Sequence, residues 1–164
     1  MPRLGAILVC LWAPGIVFAA TLGGLLPGAE ERGKATYRFL GLALYDARLF
    51  TPGGAEFSWS ADFALELTYL RALSEYDLVE GTLREMKRNG GRPNLDAALY
   101  RCFDDVEKGD RFLAVTNGPD RVGFWLNGTQ TCWLDGPGIT RRFMEIFLGD
   151  NTRSRSFTRR LRGS

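Results

Sequence analysis

The 164-residue sequence predicts a segregated α+β domain, one antiparallel sheet with helices packed against one of its faces. Three observations predict it. Asp62 to Leu70 alternates cleanly, with Phe63, Leu65, Leu67 and Tyr69 on one side and Asp62, Ala64, Glu66 and Thr68 on the other, the pattern of a half-buried antiparallel strand. Asn127-Gly128 joins two apolar runs and is a strong short-range hairpin signal. The period changes to helical after Ser74 and again after Ile139. Strands come first, then a helical pair, three more strands and final helices, which is not the alternation of a βαβ fold.

Each element has its own justification. Lys34 to Phe39 and Leu42 to Phe50 read as two strands. In the second, Leu42, Leu44, Asp46 and Arg48 share one face, and Ala43, Tyr45, Ala47 and Leu49 share the other. Thr51-Pro52-Gly53-Gly54 is a turn. Ser74-Glu75-Tyr76-Asp77 opens a helix with an acidic first turn, followed by Leu78, Val79, Thr82, Leu83 and Met86 at helical spacing. Asn89-Gly90-Gly91 stops it. Asn94 is the N-cap expected for a second helix burying Leu95, Ala98, Leu99, Cys102 and Phe103. Arg111 to Thr116, Val122 to Leu126 and Thr129 to Leu134 form a meander. Ile139 to Leu148 is a helix turning Ile139, Phe143, Ile146 and Phe147 inward, and a short terminal helix surrounds Phe157 and Leu161.

Composition narrows the chemistry. The length supports one domain, and 45% hydrophobic content supplies a core. The sequence contains no histidine. That excludes a Ser-His-Asp triad, a Cys-His pair and any imidazole metal ligand. The net charge of +2 is too close to balance for a nucleic-acid binder. Charge is nevertheless uneven. From Thr140 onward seven arginines face only Glu145 and Asp150, a basic stretch suited either to solvent or to peripheral contact with an anionic membrane. No metal site is expected. Asp104, Asp105 and Glu107 lack the spacing of a calcium loop, and Gly136-Pro137-Gly138 reads as a plain turn.

The N-terminus reads as an address. One arginine precedes the apolar run Leu4 to Ala19, which closes on Val17-Phe18-Ala19, so residues 1–19 are expected to be a signal peptide cleaved after Ala19. The alternative is an uncleaved anchor, because the apolar run can be extended to Leu26. Residues 20–33 are expected to be a lead-in and 34–163 the folded domain, exported to the periplasm as a monomer. Cleavage removes Cys10 and leaves Cys102 and Cys132. In an oxidising compartment these form a candidate disulfide, the alternative being two buried free thiols.

Three segments carry a resemblance. GLALYDARLF (Gly41 to Phe50), FALELTYLR (Phe63 to Arg71) and FMEIFLGDNT (Phe143 to Thr152) together resemble the bacterial exported chalcone-isomerase-like family, in order, over nearly all of Lys34 to Gly163. The resemblance implies an open-faced sandwich with a cleft between sheet and helices. It also implies positions. Where the isomerases place a threonine this chain has Leu40, and where they place an asparagine it has Leu83. A polar ligand contact becomes Phe157, the family arginine falls near Gly28 with Arg32 out of register, and Tyr76 matches the family tyrosine at the start of the first helix. Leucine cannot donate a hydrogen bond to a developing oxyanion, and each lost donor costs about 3–4 kcal/mol of transition-state stabilisation.

The expectation is therefore a non-catalytic domain that binds a small apolar, lipid-like or carboxylate ligand without a cofactor. Arg48 and Arg71 are its candidate anion partners, unless they pair with Asp46 or Glu66, and Tyr76, Leu40 and Leu83 line the same site. An isomerase or lyase using Tyr76, and a periplasmic scaffold, are the alternatives.

Overall fold

Six strands form one antiparallel meander in the computed structural model of the chain, which describes residues 22–91 and 94–164. The expected leader, with Cys10, lies outside the described residues. The strands are β1 (Ala29–Phe39), β2 (Leu42–Pro52), β3 (Ala64–Tyr69), β4 (Arg111–Thr116), β5 (Arg121–Leu126) and β6 (Thr129–Asp135), and their order in the sheet is their order in the chain. Helices α1 (Glu75–Arg88) and α2 (Asp96–Cys102) connect β3 to β4, and α3 (Ile139–Leu148) and α4 (Arg155–Arg162) follow β6. The segregated α+β class is as the periodicity indicates.

Burial explains which sheet face the helices take. Ala47, Leu49, Leu65, Leu67, Phe112, Ala114 and Phe124 point to one side and pack with Val79, Met86, Leu99, Phe143, Met144 and Leu161 of the helices. Each large side chain so buried stabilises the fold by about 1.5–3 kcal/mol. The other face, away from these helices, is not simply solvated. Phe50, Ala64, Leu113, Val115 and Trp125 form a second apolar cluster there, covered by Leu22 and Leu26. Beside it Glu66 is buried on β3, 1% exposed. Arg111 donates to Glu66 Oε2 through Nε (3.0 Å) and Nη2 (2.5 Å), and Arg48 Nη1 approaches Oε1 at 3.4 Å. A buried carboxylate persists because both neighbouring strands supply guanidinium partners.

Strand β1 starts at Ala29, five residues before the alternation begins at Lys34. Glu30, Glu31 and Arg32 mask the strand pattern, because at a sheet edge their side chains remain partly solvated and find local partners: Glu31 takes the Nε of Arg48 at 2.6 Å. Gly33 has a steric purpose. A Cβ there would meet the carbonyl oxygens of Arg160 and Leu161 at 2.5 Å, so glycine lets the end of α4 lie directly on β1. Arg32 completes the contact by donating Nε to the Arg162 carbonyl (3.1 Å) and Nη2 to that of Gly163 (3.3 Å).

The capping signal at Ser74 is realised as a reciprocal box, with Asp77 N–H donating to Ser74 Oγ (3.1 Å) and Ser74 N–H donating to Asp77 Oδ2 (3.2 Å). The expected Asn94 cap is not. Helix α2 starts at Asp96 after Leu95, and no side chain caps it. Packing of Leu99 and a covalent bond hold this short helix instead. Cys102 is joined to Cys132 of β6 by a disulfide, with Cα atoms 5.0 Å apart, which decides between the two expected thiol states. Thr131 Oγ1 donates to the Cys102 carbonyl at 2.8 Å beside it.

Candidate functional site

Antiparallel register builds the floor of a cleft. Tyr37 pairs with Tyr45 across β1 and β2, and Tyr45 pairs with Tyr69 across β2 and β3, so three tyrosines stand in one row. Tyr37 and Tyr45 stack with centroids 5.1 Å apart, and Tyr69 meets Tyr45 edge-on at 6.2 Å. Across from this row, α1 presents Leu78, Gly81, Thr82 and Glu85, one stripe at helical spacing. Ile146 and Phe147 of α3 and Phe157 of α4 form the remaining wall.

The enclosed volume is about 410 Å³, within the range of small-molecule sites. A further void of about 40 Å³ lies deeper, sharing Leu67, Tyr69, Leu78, Thr82 and Phe147 with the cleft and bounded by Phe103, Phe112 and Phe143. Gly81 leaves room, since a Cβ there would meet no atom within 4 Å.

Polarity is concentrated at the exposed rim. Arg84, Arg153, Asp77 and Glu85 line it with Phe39. Arg153 pairs through Nε with Glu85 Oε1, and its guanidinium lies 5.6 Å from the centroid of the Phe39 ring. Asp77 is held below its ordinary pKa by hydrogen bonds from Ser74. Inside, no described group hydrogen-bonds the hydroxyls of Tyr45 or Tyr69. Burial pushes both phenols well above 10.0, and for Tyr45 the neighbouring tyrosines and Glu85 push the same way while Arg153 opposes them. Both are neutral donors at physiological pH, available to an acceptor entering the cleft.

The residues singled out from sequence are placed differently. Arg48 lies on the opposite sheet face, in a wide hollow of about 1080 Å³ with Glu66 and Arg111, because its strand parity matches Asp46 and not Tyr45. Arg71 is exposed just past β3, outside the cleft lining. Tyr76 is 63% exposed, on the solvent side of the first turn of α1. Leu40 is 86% exposed at the β1–β2 turn, and Leu83 packs on the core from the flank of α1 rather than lining the cleft. Phe157, the position carried over as a ligand contact, does line it. Arg153, Glu85, Gly81 and Tyr37 are cleft residues the sequence reading did not single out. Tyr37 lies three residues before Leu40 and Tyr45 four after Gly41, so turn symmetry alone would set Tyr37 opposite Leu44, and the register irregularity between Tyr37 and Arg38 is what brings it to Tyr45; Arg153 sits in an aperiodic segment and carries no such signal.

A six-stranded antiparallel meander roofed by helices, with an apolar cleft between the layers, defines the open-faced α+β sandwich of the chalcone isomerase fold. Among solved structures, a fatty-acid binding protein of Arabidopsis thaliana is similar to the chain, with TM-score 0.63 and 10% identity over 84% of this chain and 88% of that one. No protein-family model matches the sequence, and no curated protein matches it either.

Proposed function

We propose that the protein is a non-catalytic binding domain for a fatty-acid-like amphiphile, belonging to an exported branch of the chalcone isomerase fold. One observation carries the reading: an apolar, tyrosine-floored cleft of about 410 Å³ whose charged groups, Arg153 among them, stand at its rim. An acyl chain fills the space between the tyrosine row and the α1 stripe, and its carboxylate meets the guanidinium of Arg153. The similar Arabidopsis structure, that of a fatty-acid binding protein, supports the same ligand class. Export fits as well, since the Cys102–Cys132 bond suits an oxidising compartment. The positions through which an isomerase would work do not favour that alternative. Leu40 replaces a donor at an exposed turn, and Tyr76 faces solvent.

Titration of the purified protein with the fluorescent fatty acid cis-parinaric acid tests the reading. Saturable one-site binding, reversed by unlabelled palmitate, is expected. Emission that never saturates, or that palmitate fails to reverse, would overturn it.

A further inference from the structure

Among the described residues, most of the large apolar side chains left in solvent are gathered at one place. Phe39 is 41% exposed, Leu40 86% and Leu42 54%, all at the tip of the β1–β2 hairpin. The backbone makes this more telling. Leu40 has φ +49° and Gly41 φ +82°. The other described non-glycine residue with positive φ is Asn127, a residue type that tolerates the left-handed region, whereas leucine does not. Asparagine at position 40 would satisfy both the turn and the water around it. Folding therefore does not explain this leucine.

Positive charge predominates on the tip itself, with Glu85 behind it as the partner of Arg153. From Lys34 to Tyr45 the hairpin carries Lys34 and Arg38 and no carboxylate. Arg38 Nη1 donates to the Gly41 carbonyl at 3.5 Å, holding its cation at the turn. Arg153 lies over the Phe39 ring. Arg71 follows Leu70, whose N–H donates to the Leu44 carbonyl at 2.9 Å, so a third exposed arginine stands at the same end of the sheet. Phe39 also lines the cleft, which makes the tip continuous with the cleft mouth.

We propose that the hairpin tip is an interfacial wedge that docks the cleft mouth onto an anionic lipid surface. Phe39, Leu40 and Leu42 enter the boundary between headgroups and acyl chains, and the arginines stay among the headgroups, where anionic lipid attracts them. A ligand then passes between bilayer and cleft beside Phe39 without crossing bulk water. This purpose rests on the ligand-binding reading; the docking itself does not.

Co-sedimentation with phosphatidylcholine vesicles, with and without phosphatidylglycerol, tests the wedge. The protein is the chain from Ala20, which holds every described strand and helix. It is expected to bind the anionic vesicles about tenfold or more tightly than the neutral ones. Leu40→Asn combined with Leu42→Ser should weaken anionic binding at least about tenfold. Both positions are exposed, so its melting temperature should not fall. Failure of the parent chain to bind anionic vesicles, or equal binding by the double variant, overturns the proposal. Binding of cis-parinaric acid in solution, measured on both proteins, separates the two readings. Its absence alongside tip-dependent vesicle binding would remove the ligand reading and leave the wedge standing. Its retention in a chain that ignores vesicles would do the reverse.

Discussion

Arg153 and Glu85 form an ion pair across the cleft mouth, joining the segment after α3 to the last turns of α1. The pair is not aligned as a hydrogen bond, and Glu85 Oε1, although buried, has no hydrogen-bond partner. Glu85 Oε2 takes Arg88 Nε at 3.1 Å instead. A ligand carboxylate entering the mouth therefore competes with Glu85 for the guanidinium of Arg153.

A carboxylate ligand should therefore respond to these two residues with opposite signs. Arg153→Gln should weaken palmitate binding about tenfold, the loss of one charge-assisted contact at an exposed rim, and leave the matching fatty alcohol unchanged. Glu85→Gln should tighten palmitate binding, because it removes the competing carboxylate. Calorimetric titration of both ligands against both variants measures this. Equal loss for acid and alcohol would assign Arg153 to packing alone.

The buried tyrosines give the chain a distinctive alkaline behaviour. Tyr45 and Tyr69 are both raised above 10.0, chiefly by burial. Above the ordinary tyrosine value the unfolded chain loses protons that the folded chain keeps, so their contribution to stability is complete below pH 10 and is lost as pH rises further. Ultraviolet titration should show these two phenols ionising only with unfolding, and Tyr45→Phe with Tyr69→Phe should flatten the alkaline fall in melting temperature. A single titration of all the tyrosines near pH 10, without unfolding, would contradict the burial.

What could be read from the chain and what could not divide on a physical line. Alternation along β3 and the helical stripes of α1 and α3 depend on neighbours within one element, and those elements stand where the periodicity puts them. The pairing of Arg48 with Glu66 is the alternative its charge pattern offers, but the burial of Glu66 and the part of Arg111 depend on two strands being brought alongside β3. The cleft has the same origin. The tyrosine row exists only once β1, β2 and β3 are in register, and Arg153 reaches the mouth only once α4 docks on Gly33. Residues 48, 71 and 76 looked like site residues because charge and aromaticity are visible in sequence, while the face they occupy is not.

The Cys102–Cys132 bond ties α2 to the edge strand β6 across a 30-residue separation. In the chain-entropy model a loop of this size stabilises the fold by about 3–4 kcal/mol. The double variant Cys102→Ala, Cys132→Ala should lose about that much in urea unfolding, and reduction of the parent chain should approach the same value. Unchanged midpoints would mean that packing of Leu99 and Phe103 holds α2 without the bond.

Gly81 offers a test in which stability and binding move in opposite directions. It lies within α1, facing the cleft, with no atom near the position its Cβ would take. Glycine inside a helix costs about 0.5–1 kcal/mol relative to alanine, through the backbone freedom it loses on folding. Gly81→Ala should raise the melting temperature and narrow the cleft by one methyl group. Gly81→Leu should keep most of that gain and project its side chain between Leu78 and the tyrosine row, where the acyl chain is expected to lie. Its affinity for palmitate should fall by at least about tenfold, since the apolar contact of several methylenes is forfeited, while its vesicle binding through Leu40 and Leu42, which lie outside the cleft lining, stays intact. A chain stabilised by leucine that still binds palmitate with the parent affinity would show that the ligand lies elsewhere, and would move attention to the opposite sheet face around Arg48 and Glu66.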